Sequence, residues 1–248
     1  MPQTLPELRD QIDATDAQLL DLLNRRAALA LEVGEVKRAE GSLVFRPERE
    51  AQVIASLQKR NTGPMKSEGI SHIWREIMSS CRSLEARQRV AYLGPAGTFS
   101  EQATVQFFGA SIDHVPCASF DDVFHAATSG QADFGVVPIE NNTEGVVARS
   151  MDLLLHTPLH IVGEVNLLIR HHLMRSSNSM DGITVVLAHP QALAQCHQWL
   201  GTHLPQAERR AASSNAEGAR LAATNPAWAA IASDRAASEF GLHLVARE

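Results

Sequence analysis

Arg26 and Lys37 stand where a helix would be expected to carry aliphatic side chains. From Leu8, positions 8, 12, 15, 19, 22, 26, 29, 33 and 36 step by alternating fours and threes, and all except Thr15 and Arg26 are Leu, Ile or Val. Lys37, eleven residues after Arg26, returns to the same face within about 20° and about 16 Å further along the axis. A cation turned toward a protein interior is costly unless an anion meets it. Two such cations on one rigid helix could hold an external dianion or an internal carboxylate such as Glu50. Snorkelling of both side chains along the stripe is the alternative.

Three further segments carry polar groups in suggestive patterns. Gly94-Pro95-Ala96-Gly97-Thr98-Phe99-Ser100-Glu101 joins a glycine turn to a helix start, with Thr98 and Glu101 at capping-box spacing, and free amides there can hold an anion. It lacks the GK[ST] of a P-loop and the GxGxxG of a dinucleotide site, so a carboxylate suits it better than a nucleotide phosphate. An ordinary tight turn is the other reading. The stretch Val137 to Gly145 places Glu140, Asn141, Asn142 and Thr143 after a buried strand and ahead of a helix, either facing a ligand or forming an N-cap with an Asx turn. His171-His172 and His189-Pro190 raise metal or acid–base chemistry. With no HExxH and no third ligand at metal spacing, no metal or other cofactor is expected.

The elements that must position these residues divide near residue 90. Residues 1–90 carry 14 basic against 13 acidic side chains, and residues 91–248 carry 8 against 15, so the net charge of −6 resides in the second part. Such a balance excludes a general nucleic-acid binder. In the first part, Thr4-Leu5-Pro6-Glu7 forms a capping box, and no strong breaker follows until Gly41. A helix over residues 5–40 would be about 54 Å long, beyond the roughly 35 Å diameter of a 90-residue globule, so one copy cannot cover its own stripe and a homodimer is expected. A second helix opens at Pro47 and ends before Asn61-Thr62-Gly63-Pro64. A third carries Ile70, Ile73, Ile77, Cys81 and Leu84 on one face. The second part alternates short β-rich runs (89–94, 134–140, 161–169, 184–190, 229–233, 242–246) with helical segments, which indicates an α/β fold with a largely parallel sheet. Three scattered cysteines without CxxC, no apolar leader and no apolar run of about 18 residues point to a cytoplasmic protein with no membrane partner.

Residues 5–38, RPEREAQV (46–53) and REIMSSCRSLE (75–85) together resemble the all-helical chorismate mutase family in residue type and spacing. The resemblance implies a three-helix domain over residues 1–88 that forms an intertwined dimer. Arg9 would reach the other subunit's site, Arg26 and Arg49 would grip the substrate's carboxylates, Lys37 would bond its ether oxygen, and Glu50 would bond its ring hydroxyl. Glu85, where the family has Gln or Glu, would donate to the ether oxygen only when protonated, so mutase activity would fall as pH rises. Cys81 falls where some members have Ser.

GPAGTFSEQA (94–103), SFDDVF (119–124), GQADFGVVPIENNTEGVV (130–147), HHL (171–173), AHPQALAQC (188–196) and AAIASDRAA (229–237) resemble prephenate dehydratase. That implies a two-lobed α/β domain over residues 89–248 with the type II periplasmic-binding fold and prephenate in the cleft between its lobes. Asn141 and Gln195 would touch substrate, with Thr98, Glu140, Thr143 and His189 near them. Ala188 and Asn142 stand where the family usually has Ser. The chain as a whole resembles the bifunctional P-protein family of phenylalanine synthesis, with chorismate and prephenate as substrates. It stops before the family's Thr-Arg-Phe motif and its phenylalanine-binding ACT domain, which implies a C-terminally incomplete and impaired dehydratase half. A mutase joined to a non-catalytic carboxylate-binding module, or a non-functional fragment, are the alternatives.

Overall fold

The computed structural model describes residues 3–40, 45–141 and 145–247. Helix α1 (Leu5–Ala39) begins at the expected capping box, where the backbone N–H and the hydroxyl of Thr4 both donate to the Glu7 carboxylate, at 2.7 and 2.9 Å. Lys37 and Arg38 in its last turn favour the negative end of the helix dipole. Helix α2 (Pro47–Arg60) starts on a proline whose missing N–H costs nothing at that position. Asn61 then closes the turn, its Nδ2 donating to the Met65 carbonyl and its Oδ1 accepting from the Gly63 N–H. Helix α3 (Ser67–Glu85) packs against both α1 and α2.

The stripe on α1 lies uncovered in the single chain. Leu8, Ile12, Leu19, Leu22, Leu29, Val33 and Val36 are 42% to 62% exposed. On α3 the buried arc differs from the expected one. Ile70 and Cys81 are buried, but Ile73 and Leu84 are exposed, and Met78, Ser79 and Arg82 take the interior places. At about 100° per residue the centre of the buried arc is turned by roughly 90° from that of the apolar stripe. The cause is a segment from much later in the chain. The described chain forms two compact units, Met1–Gln88 with Phe108–Asp113 and Arg89–Phe107 with His114–Glu248, so residues 108–113 pack on the Ser79 and Arg82 side of α3.

The second unit contains β1 (Arg89–Leu93), α4 (Phe99–Phe108), β2 (Asp113–Cys117), α5 (Phe120–Thr128), β3 (Phe134–Val136), the two-residue strands β4 (Glu140–Asn141) and β5 (Gly145–Val146), and α6 (Ala148–His156). There follow β6 (His172–Arg175), β7 (Val185–Ala188), α7 (Pro190–Gln195), α8 (His197–His203), β8 (Glu208–Ala211), α9 (Asn215–Ala222), β9 (Trp228–Ala232), α10 (Asp234–Phe240) and β10 (His243–Ala246). Two sheets define two lobes. The smaller has the order β2-β1-β3, with β1 parallel to β3, and the larger has the order β10-β6-β9-β7-β8.

The larger sheet is mixed, not largely parallel. β7 is parallel to both β8 and β9, while β6 is antiparallel to β9 and β10. An irregular stretch, not a crossover helix, leads into β6, so nothing obliges it to run parallel. Its helices lie close on small residues. A Cβ on Gly218 would come within 3.0 Å of the Leu187 carbonyl oxygen, and Ala219, Ala222, Ala230, Ala232 and Ala236 share one core cluster.

Residues 161–169, expected as a strand, form none. Gly163 is packed against the Phe107 ring, the Asn166 carbonyl accepts from Gln106 Nε2, and Ile161 and Leu168 are about three-quarters exposed. β-Propensity supplies no strand without a neighbouring edge to pair with.

The two lobes are tied at a buried carboxylate. Glu101 on α4 accepts from the Gly97 N–H at 2.6 Å and from Arg235 of α10 at 2.8 Å, with His114 Nδ1 at 3.6 Å, while Ser233 donates to the Gly97 carbonyl at 3.1 Å. Burial pushes the Glu101 carboxyl upward, but the Arg235 and Gly97 hydrogen bonds and the charges of Arg235 and His114 outweigh it. Its pKa therefore falls below the ordinary 4.5. A depressed folded-state pKa contributes stability that is complete above the unfolded value and is lost as pH falls through the folded one. Glu101→Gln is expected to cost about 3 kcal/mol near neutrality, and denaturant unfolding should show the deficit shrinking as pH drops below about 4.5.

Candidate active sites

In the helical unit the carboxylates find different partners. Glu50, in the first turn of α2, pairs with Arg82 of α3, a residue that sequence reasoning passed over. Burial pushes the Glu50 carboxyl above its ordinary value, against the opposing charges of Arg82, Arg75 and Arg26. Arg26 is half-buried on α1, within electrostatic reach of Glu50, so two of the expected site residues come together. Lys37 is half-buried one helical turn beyond Gly34. Arg9 and Arg49 are exposed.

Glu85 lies against Gly34, a buried position on α1. A Cβ there would come within 2.6 Å of the Glu85 Cδ and Oε2 atoms, and Oε2 is buried without a hydrogen-bond partner. A glycine inside a long helix costs about 1 kcal/mol relative to alanine, and here it leaves the space that Glu85 occupies.

In the two-lobed unit, the Gly97 amide donates to Glu101 and is not offered to an anion, which accords with the tight-turn reading of this segment. Thr98 accepts from the Glu101 N–H at 3.3 Å and donates to the Leu93 carbonyl at 3.1 Å, which makes it the helix cap. Glu140 is exposed and Asn141 half-buried in the pairing of β4 with β5, Glu140 opposite Val146 and Asn141 opposite Gly145. Thr143 and Asn142 lie outside the described residues. His189 caps α7, its Nδ1 accepting from the Gln191 N–H at 3.4 Å and its own N–H donating to Asn215 Oδ1 at 2.9 Å.

Gln195 reaches a residue outside the expected set. Its Oε1 lies 2.7 Å from His171 Nε2, and because a carbonyl oxygen only accepts, Nε2 carries the proton. The His171 Nδ1 is buried with no hydrogen-bond partner, and the Phe99 ring stands edge-on to the imidazole at 5.8 Å between centroids. The GTFS, HHL and HPQALAQ stretches therefore converge on His171. The signal was present in the His171-His172 pair, but its use depends on contacts that no spacing encodes. Among the described residues no three His, Cys, Asp or Glu side chains are placed to hold a metal, and no helix is long and apolar enough to cross a membrane.

Family models divide the chain where its architecture changes. The chorismate mutase type II model matches residues 8–86 and the prephenate dehydratase model matches residues 90–248. The bifunctional chorismate mutase/prephenate dehydratase of Neisseria gonorrhoeae is 47% identical over 253 residues, covering 99% of this chain and 69% of that protein. The chain belongs to the bifunctional chorismate mutase/prephenate dehydratase family. Among solved structures, the prephenate dehydratase of Arthrobacter aurescens in complex with L-Phe is 33% identical with a TM-score of 0.58, over 64% of this chain and 55% of that one. The Staphylococcus aureus prephenate dehydratase is 27% identical with a TM-score of 0.53, over 64% and 60%. The two-lobed unit thus has the prephenate dehydratase fold, and the chain combines an isomerase domain with a lyase domain for phenylalanine biosynthesis, whose substrates are chorismate and prephenate.

The Gly34–Glu85 contact makes the mutase half testable at one atom. Gly34→Ala should leave α1 at least as helical by circular dichroism, because the intruding methyl displaces only the end of a flexible side chain. Chorismate turnover is expected to fall about 10-fold to 100-fold, as misplacement of a site group by about 1 Å can cost that much.

Proposed function

We propose that the domain at residues 1–88 rearranges chorismate to prephenate and that the domain at residues 89–248 converts prephenate to phenylpyruvate. The rearrangement is pericyclic and needs no nucleophile. Its catalyst must hold the reactive conformer and stabilise charge that develops on the ether oxygen. In this reading Arg26 and Arg49, with Arg9 of a second copy, grip the two carboxylates. Lys37 bonds the ether oxygen together with Glu85, and Glu50 accepts from the ring hydroxyl. The observation that carries the reading is half-buried Arg26 within electrostatic reach of half-buried Glu50, with Glu85 seated against Gly34 of the same helix as Arg26 and its Oε2 buried without a partner.

The exposed stripe on α1 supports a homodimer. Seven aliphatic side chains along one face of a 35-residue helix are an apolar patch of the kind that monomers rarely leave in water. Pairing two such helices would cover both stripes and bring Arg9 of each copy to the other's site. The dimer would work in the cytoplasm, where its three free cysteines remain reduced.

In the dehydratase domain the proposed substrate contacts are Asn141 and Gln195, with Thr98, Glu140, Thr143 and His189 around them. His171, through its contact with Gln195, joins that group. Decarboxylation with loss of the ring hydroxyl makes the ring aromatic, so the cleft has only to orient prephenate and assist the departing oxygen.

Supplying chorismate to the purified chain and quantifying prephenate and phenylpyruvate against an enzyme-free control tests both halves. Prephenate should form at once, and Arg26→Ala or Lys37→Ala should lower that rate by about 100-fold or more while the helical signal and a mass of twice 27.0 kDa are kept. Unchanged prephenate formation in both variants would remove the assigned mutase site. Enzyme-dependent phenylpyruvate that declines in Gln195→Ala is the outcome expected of the dehydratase cleft.

A further inference from the structure

Arg82 is a buried cation for which the mutase reading has found no use. Only 6% of the residue is exposed, so its charge and its donors must be met within the protein. Nη1 donates to Glu50 Oε1, Nη2 donates to the Phe108 carbonyl, and the guanidinium carbon lies 4.5 Å from the centroid of the Phe45 ring. The Phe45 and Phe108 rings are themselves 5.1 Å apart.

The segment that supplies the Phe108 carbonyl is anchored independently of Arg82. Ser111 N–H donates to Ser79 Oγ at 3.1 Å, Ala110 N–H to Glu76 Oε2 at 3.2 Å, and Asp113 N–H to the Gln88 carbonyl at 2.9 Å. Gly109, at φ +80°, comes so near α3 that a Cβ would lie 2.4 Å from Ser79 Cβ. Residues 108–113 lie inside the stretch matched by the dehydratase model, yet they belong to the helical unit.

We propose that Arg82 is a positioning residue for the mutase reaction, holding the Glu50 carboxylate toward the substrate, and that the Phe108–Asp113 segment in turn holds Arg82. The inference rests on Glu50 being the acceptor for the ring hydroxyl. Arg82 engages Oε1 and leaves Oε2 for that hydroxyl. The charged groups facing Glu50 are Arg82 and Arg75 from α3 and Arg26 from α1, with Arg82 the strongest influence in keeping the carboxylate ionised against its burial. A fixed, ionised Glu50 therefore depends on residues beyond the mutase sequence itself.

The test uses the full chain and initial rates of chorismate consumption across pH 5 to 9. Removing a cation beside a carboxylate raises its pKa by about one to two units, so Arg82→Met should move the acid limb of the mutase profile to higher pH by that amount. Its kcat/KM near neutrality should fall about tenfold or more. Arg82→Lys, which keeps the charge but not the fork, should restore the limb without restoring the full rate. Gly109→Val, which forces the segment off α3 at a distance from Glu50, should also lower kcat/KM. An unmoved limb with wild-type kcat/KM in Arg82→Met overturns the proposal. If that variant loses its helical signal, wild-type values in both Arg82→Lys and Gly109→Val overturn it instead. Glu50→Gln separates the two levels. A wild-type rate and limb there would remove Glu50 from the site, whereas loss of the limb there with Arg82 variants unaffected would overturn the role of Arg82 alone.

Discussion

A carboxylate taken out of water is stabilised by a cation and hydrogen-bond donors nearby, and Glu50 in one unit and Glu101 in the other are answered in this way. Glu50 is met by Arg82, with Arg75 and Arg26 adding their charges, and Glu101 is met by Arg235, the Gly97 amide and His114. The two pairs differ in outcome. Glu50 remains harder to ionise than an ordinary carboxyl, because its burial exceeds the compensation, whereas Glu101 becomes easier to ionise, because the Gly97 amide, Arg235 and His114 converge on it. A carboxylate left marginally satisfied suits a group that must still accept a bond from substrate. One that is fully satisfied suits a structural tie between lobes.

That difference carries through to the surrounding chain. Around Glu101, the glycine turn, the start of α10 and the first turn of α4 are held in one network, in which the Gly97 amide is committed to the carboxylate. Phe99 is thereby presented to His171, and Gln195 fixes the other side of the same imidazole. Around Glu50, the supporting groups come from α1, α3 and a segment beyond residue 100. A catalyst for a pericyclic step needs rigid placement more than reactive groups, and long helices braced by a buried arginine supply it.

Much of this was legible locally. The start of α1, the proline that opens α2, and the strands at 89–93, 185–188 and 228–232 all follow from caps, proline position and short apolar runs. The motif spacings located most of the groups proposed to meet substrate. Three readings failed, each for a non-local reason. Residues 161–169 have strand composition but no partner edge among the described residues. The interior arc of α3 is turned by a segment more than twenty residues away. The larger sheet acquires antiparallel neighbours because β6 is entered without a crossover helix.

The sequence by itself determined that the first ninety residues form a long helix with an uncovered apolar stripe broken by Arg26, and that an α/β unit follows. Periodicity, capping and turn chemistry act within a few residues, so they can be read along the chain. Tertiary structure alone decided which arginine answers Glu50, which answers Glu101, and that His171 meets Gln195. These partners are 32, 134 and 24 residues apart. The chain has 22 lysines and arginines, so charge alone does not pair them. Only the packing that excludes water from particular carboxylates makes one pairing more favourable than the rest.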